Sequence, residues 1–134
     1  MYKSIKIDSK LTNLRVVENA IDEFINEIGI RQEDYGKILV STLEAVNNAI
    51  LHGNNLNPEK SVIIELIFKG NKLKIKVTDE GTGFRPEKIP NPTVPENIEA
   101  LNGRGVFIMS RLADEIKYSK KGNAVTMTFN NVIS

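Results

Sequence analysis

Ser61-Val62-Ile63-Ile64-Glu65-Leu66-Ile67-Phe68-Lys69-Gly70-Asn71-Lys72-Leu73-Lys74-Ile75-Lys76-Val77-Thr78-Asp79-Glu80-Gly81-Thr82-Gly83-Phe84 is the stretch on which the fold turns. Two runs, Ser61 to Phe68 and Lys72 to Thr78, are rich in Ile and Val with lysines alternating between them, which predicts strands with one buried face. Gly70-Asn71 between them is a hairpin signal. The second run leaves through an aspartate and two glycines. Downstream, Glu115 to Ser119 and Ala124 to Asn130 predict a further hairpin that turns at Lys121-Gly122-Asn123. Upstream, Tyr2 to Asp8 alternates charged and apolar residues and predicts a short strand.

Helices precede this sheet. Leu11, Leu14, Val17, Ile21, Phe24, Ile25 and Ile28 recur at helical spacing, with Gly29 as the stop. Asp34 to His52 predicts a second helix, its stripe formed by Leu39, Leu43, Val46 and Ile50 and widened by Ile38, Ala45 and Ala49. Gly53-Asn54-Asn55 ends it, and Asn57-Pro58 continues a loop. Asp79 to Asn102 is a long connection holding Pro86, Pro90, Pro92 and Pro95, with a short helical turn expected over Pro95 to Ala100. Gly105 to Ala113 reads as a third helix. The fold class that follows is an α/β chain of the α+β kind: a two-layer sandwich of a mixed, mostly antiparallel sheet of about five strands with helices on one face. No repeat or linker divides the sequence, so residues 1–134 are expected to form a single domain.

Composition narrows the function classes. The 134 residues are 40% apolar and 26% charged, ordinary for a soluble globular protein. Eighteen basic residues against seventeen acidic leave a formal charge of +1, without the basic excess that a nucleic-acid surface needs. Absence of cysteine removes disulfide and thiolate chemistry. The start lacks an apolar signal core, and no apolar stretch approaches the ~20 residues that span a bilayer. A cytoplasmic location is the expectation.

Three stretches carry chemistry. In Glu44-Ala45-Val46-Asn47-Asn48-Ala49-Ile50-Leu51-His52-Gly53-Asn54, Glu44 and Asn48 stand one helical turn apart, opposite the apolar stripe. A carboxylate there can take a proton from a nucleophile, and an amide oxygen can ligate Mg²⁺. In Asp79-Glu80-Gly81-Thr82-Gly83-Phe84, the aspartate can accept a hydrogen bond from an exocyclic amine, and the glycines let backbone approach a flat ring. In Asn102-Gly103-Arg104-Gly105-Val106-Phe107-Ile108-Met109, glycines before a helix start offer N–H groups to phosphate oxygens, and Arg104 adds a charge. Each alone has an ordinary reading: a polar helix face, an Asp-Glu-Gly turn, a flexible glycine turn. The spacing matches neither a Walker P-loop nor a dinucleotide fingerprint.

Together and in this order, the three resemble the boxes of the GHKL ATPase superfamily, the histidine-kinase-type ATPase domains. Glu44 to Gly53 is similar to the N box, Asp79 to Phe84 to the first glycine box, and Gly103 to Val106 to the second. The short chain and the Gly103 to Met109 … Leu112-Ala113-Asp114-Glu115 ending are most similar to the anti-sigma factor serine kinases. The resemblance implies a Bergerat-type ATP-binding fold with ATP and Mg²⁺ as cofactors. It implies Glu44 as general base, Asn48 as the Mg²⁺ ligand, Asp79 on the adenine amine, and Gly81 and Gly83 shaping the base pocket. Gly103, Arg104, Gly105 and Val106 would line the triphosphate beneath a lid of roughly Arg85 to Asn102. The implied partners are a sigma factor and an anti-anti-sigma protein of the STAS fold whose serine is phosphorylated. A homodimer through the first strand and helix fits the same resemblance; no direct nucleic-acid or membrane partner does.

Two positions depart from the family pattern. Some active kinases carry an arginine shortly before the second glycine box, where this chain has Glu99-Ala100-Leu101-Asn102. A threonine often follows the glycine of the last hairpin, where this chain has Asn123, with Thr126 and Thr128 beyond. Two other functions therefore stand beside the kinase: an ATP-binding partner-switching module without transfer, and the ATPase domain of a histidine-kinase system acting in trans. The lone His52 reads as a helix-end residue, and Lys69, Lys72, Lys74 and Lys76 as the solvated face of a hairpin. Phe107, Ile108 and Met109 read as core.

Overall fold

A computed structural model describes residues 1–81 and 112–133. Strand β1 (Tyr2–Asp8) leads through a single 3₁₀ turn into helix α1 (Leu14–Ile28), then helix α2 (Gln32–Asn48). The sheet continues with β2 (Ser61–Lys69), β3 (Lys72–Thr78), β4 (Glu115–Tyr118) and β5 (Ala124–Asn130). The five strands lie in the order β1-β2-β3-β5-β4. Every described pairing is antiparallel, so the sheet expected as mostly antiparallel is wholly so among these strands.

The expected hairpin forms where Gly70-Asn71 stands. Both residues take positive φ, 59° and 58°, the left-handed pair whose twist matches that of the flanking strands. Lys69 thereby faces Lys72, and the register runs back to Ile63 opposite Thr78. Alternation then sorts the side chains. Val62, Ile64 and Leu66 of β2 and Leu73, Ile75 and Val77 of β3 are buried. Lys72, Lys74 and Lys76 are exposed on the other face, as the lysine alternation predicts.

The helices cover the buried face. Val17, Ile21 and Phe24 of α1 and Ile38 and Val46 of α2 join the strand residues in one core. Full burial of such a side chain contributes about 1.5–3 kcal/mol relative to exposure, so the sandwich rests on this layer. Gly29 ends α1 as expected, its N–H returning to the Ile25 carbonyl at 3.0 Å.

α2 differs from its expected face. Leu39 and Leu43 are only half-buried, whereas Ser41 and Thr42 are fully buried. The inward side holds Val46 and Ile50 of the expected stripe together with Ile38, Ala45 and Ala49. Thr42 offsets its burial by donating its hydroxyl to the Ile38 carbonyl at 2.7 Å. The α-helix also stops at Asn48 rather than His52, and Ala49–Gly53 form a π-helical turn. The expected third helix, Gly105 to Ala113, lies outside the described residues apart from its last two. Among the described residues no helix is long and apolar enough to cross a membrane.

Candidate functional site

The last turns of α2 hold Glu44 and Asn48, both half-buried. Neither side chain makes a hydrogen bond with another residue described here. Their acceptor oxygens are unengaged among the described residues. The amide oxygen of Asn48 suits Mg²⁺, which takes few protein oxygens and fills its octahedron with phosphate and water.

Beyond Asn48 the helix widens. The Asn54 N–H reaches the Ala49 carbonyl at 2.8 Å, and the Leu56 N–H reaches the Ile50 carbonyl at 2.8 Å. Such π turns are rare and recur at functional sites. His52 lies exposed within it, at a helix end as expected. The turn sets Gly53 against the exit of β3. A Cβ on Gly53 would stand 2.3 Å from Oδ2 of Asp79, and one on Gly81 would stand 2.1 Å from the Gly53 carbonyl oxygen. A side chain at Gly53 would have to push the Asp79 carboxylate aside, and one at Gly81 would have to push backbone, so glycine is what allows the two segments to meet this closely.

The backbone N–H groups of Asp79, Glu80 and Gly81 and the Asp79 carbonyl are all hydrogen-bonded. The Asp79 N–H donates to the Asn123 carbonyl at 2.9 Å, and the Asn123 amide donates back to the Asp79 carbonyl at 3.2 Å. The Glu80 N–H donates to Oδ1 of Asn54 at 2.8 Å, and the Gly81 N–H donates to Oδ1 of Asp79 at 2.8 Å. The Glu80 carboxylate in turn accepts from the Ser61 N–H.

Burial raises the Asp79 carboxyl above the ordinary carboxylate range. The Gly81 N–H and the Lys60 ammonium act in the opposite direction and are outweighed. A desolvated carboxylate beside glycine backbone is a strong acceptor for an amine on a flat ring, since a good donor restores what burial removed.

Of the residues singled out from sequence, the structure describes Glu44, Asn48, Asp79 and Gly81. It brings the end of the Glu44/Asn48 helix into contact with the Asp79–Gly81 turn through Gly53. Gly83, Gly103, Arg104, Gly105 and Val106 lie outside the described residues, as do the lid and Phe107 to Met109. Sequence reasoning missed Asn54, which reads as one more turn-former after a helix and is in fact buried. Asn123 was marked only as standing where a threonine is common. Its side-chain oxygen accepts from the Ser119 hydroxyl at 3.2 Å while its amide holds Asp79.

Comparison with known proteins agrees with this fold. Residues 7–129 match the family described as histidine kinase-like ATPase domain. The serine-protein kinase RsbW of Oceanobacillus iheyensis is 26% identical over 132 residues, covering 94% of this chain and 84% of the relative. The anti-sigma F factor of Thermoanaerobacter pseudethanolicus is 30% identical over 125 residues, covering 90% of this chain and 87% of the relative. The crystal structure of the RsbU and RsbW domains of Rv1364c from Mycobacterium tuberculosis matches 97% of this chain with a TM-score of 0.71. Identity there is 19%, a likeness of fold, and this chain spans 32% of that one.

Proposed function

The chain belongs to the histidine kinase-like ATPase domain family, and from that membership we propose that it is an anti-sigma factor with ATP-dependent serine kinase activity. In this reading it binds Mg-ATP, holds a sigma factor, and transfers the γ-phosphate to a serine of an anti-anti-sigma partner with the STAS fold. The names of its relatives, serine-protein kinase RsbW and anti-sigma F factor, support the choice. The observation that carries it is the meeting of the α2 end with the β3 exit, where Gly53 and Gly81 close around the half-buried Asp79 carboxylate.

Each residue then has a task. Asp79 accepts a hydrogen bond from the adenine amine, and Gly81 and Gly83 let backbone lie against the ring. Gly103, Arg104, Gly105 and Val106 take the triphosphate. Asn48 offers one neutral oxygen to Mg²⁺, which when bound neutralises phosphate charge. Glu44 receives the proton of the acceptor serine as its Oγ bonds to the γ-phosphorus, the bond from that phosphorus to the β,γ-bridging oxygen breaks, and ADP leaves. Phosphoryl transfer asks for positioning and charge neutralisation more than covalent chemistry, so this short set suffices. A cytoplasmic location and a homodimer belong to the same proposal.

A second reading rests on one observation: Glu99-Ala100-Leu101-Asn102 holds no arginine before the second glycine box. It makes the chain an ATP-binding switch that exchanges partners without transfer. A single-turnover assay with γ-labelled ATP and a STAS partner tests the two. Labelled phosphoserine is the result expected for the kinase. Stoichiometric nucleotide and partner binding without labelled product would select the switch.

A further inference from the structure

We infer that Asn54 is a positioning residue for base recognition: it fixes the turn that carries Asp79, and so sets the preference for a purine bearing an exocyclic amine. The inference rests on the reading of Asp79 given above.

Asn54 is 1% exposed, at the end of the π turn. Its side-chain amide is fully engaged. Oδ1 accepts from the Glu80 N–H at 2.8 Å, and Nδ2 donates to the Ser9 hydroxyl oxygen at 2.8 Å and to the Ser61 carbonyl at 3.0 Å. Ser9 in turn donates its hydroxyl to the Lys60 carbonyl at 2.7 Å. Only one orientation of the amide satisfies all three partners, because the reverse would set donor against donor at Glu80 and acceptor against acceptor at Ser61. The backbone is held as well: the Asn54 N–H donates to Ala49, and the Asn54 carbonyl accepts from the Asn57 N–H at 3.0 Å.

These bonds join three chain segments, the exit of β1, the entry of β2 and the exit of β3, to the end of the helix that carries Glu44 and Asn48. Glu80 adjoins Asp79, whose carboxylate has Gly53 on one side and the Gly81 N–H on the other. Removing the Asn54 amide takes away the partner of the half-buried Glu80 N–H, one partner of the Ser61 carbonyl, and the donor to the buried Ser9 hydroxyl oxygen. The turn then relaxes toward water, and the Asp79 carboxylate moves with it. The direct side-chain bonds of Asn54 run to Ser9, Ser61 and the Glu80 N–H beside Asp79, and none runs to Glu44 or Asn48.

The test compares binding of ATP with binding of inosine triphosphate, which carries a carbonyl where adenine carries its amine. The proteins are wild type, Asn54→Ala, the milder Ser9→Ala and Asp79→Asn, with folding checked by circular dichroism. Wild type is expected to prefer ATP. Asn54→Ala should weaken ATP about tenfold while changing inosine triphosphate less than about twofold, a loss of one hydrogen bond's discrimination. Ser9→Ala should shift in the same direction by less. Equal weakening of both nucleotides, or an unchanged preference, in either variant that folds overturns the inference. If Asp79→Asn loses the preference and the Asn54 and Ser9 variants keep it, the positioning role alone fails. If Asp79→Asn keeps the preference, the reading of Asp79 fails and the inference goes with it.

Discussion

Gly53 and Asp79, 26 positions apart in sequence, touch so closely that a methyl group on the glycine would stand 2.3 Å from the aspartate carboxylate. The contact couples the end of the helix bearing Glu44 and Asn48 to the turn proposed to read the base. Gly81 closes it from the other side. Its own missing Cβ would first meet backbone, the Gly53 carbonyl oxygen at 2.1 Å, and only then the Asp79 Oδ1 at 2.9 Å.

That difference orders two substitutions. In Gly53→Ala the Asp79 carboxylate can swing aside, so we expect a loss of about 1–3 kcal/mol of stability and weaker ATP binding. In Gly81→Ala neither backbone can yield without breaking the turn, so the loss should be larger and ATP binding should be abolished. Urea denaturation and calorimetry with ATP check both. A Gly81→Ala protein as stable as Gly53→Ala would show that the close approach is not needed.

Asp79→Asn separates charge from shape. The asparagine keeps an oxygen for the Gly81 N–H but removes the buried charge. Because burial holds the folded pKa above the unfolded one, the folded state binds more protons between those two values. Stability therefore falls as pH rises through that window and stays lower above it. The variant should lack this slope and be more stable than wild type at neutral pH, while ATP affinity drops roughly tenfold to a hundredfold with the loss of a charged acceptor. Thermal melts across mildly acidic to neutral pH would expose a wrong sign: wild type gaining stability as pH rises through the window.

Glu44 and Asn48 should separate kinetically. Glu44→Gln is expected to lower the rate of transfer by about 10²–10⁴ with ATP affinity nearly unchanged, as for loss of a general base. Asn48→Ala should leave metal-free ATP binding intact and remove the increment that Mg²⁺ adds. Rapid-quench transfer assays and paired titrations with and without Mg²⁺ measure these. Native-rate transfer by Glu44→Gln would dismiss it as the base.

How much of this was legible beforehand follows from which signals are local. Alternation in Ser61 to Thr78 and the Gly70-Asn71 turn are short-range features, and the strands and hairpin stand where they place them. The helical face of α2 was less legible. Ser41 and Thr42 stand outside the expected apolar stripe, yet tertiary packing buries them while leaving Leu39 and Leu43 half-buried. Of the candidate site, Asp79 and Gly81 were visible only because three stretches occur together and in order, since an Asp-Glu-Gly turn at a strand exit is by itself common. The role of Asn54 was not, since it is defined by Ser9, Ser61 and Glu80, partners that only the fold assembles.

Ser41 and Thr42 offer a last test, of packing rather than chemistry. Both are fully buried on neighbouring positions of α2. The Thr42 hydroxyl donates to the Ile38 carbonyl, whereas the Ser41 hydroxyl has no hydrogen-bond partner among the described residues. An unpartnered buried hydroxyl costs about 1–3 kcal/mol of desolvation. Alanine removes that cost and is also the better helix former. Ser41→Ala should therefore raise stability by about 1 kcal/mol. Thr42→Val, which keeps shape but loses a made bond, should be neutral or lower it by up to about 1 kcal/mol. Urea denaturation of both variants gives the two signs. A Ser41→Ala protein less stable than wild type would mean that the hydroxyl is satisfied in solution and that the inward face of α2 is wetter than its burial implies.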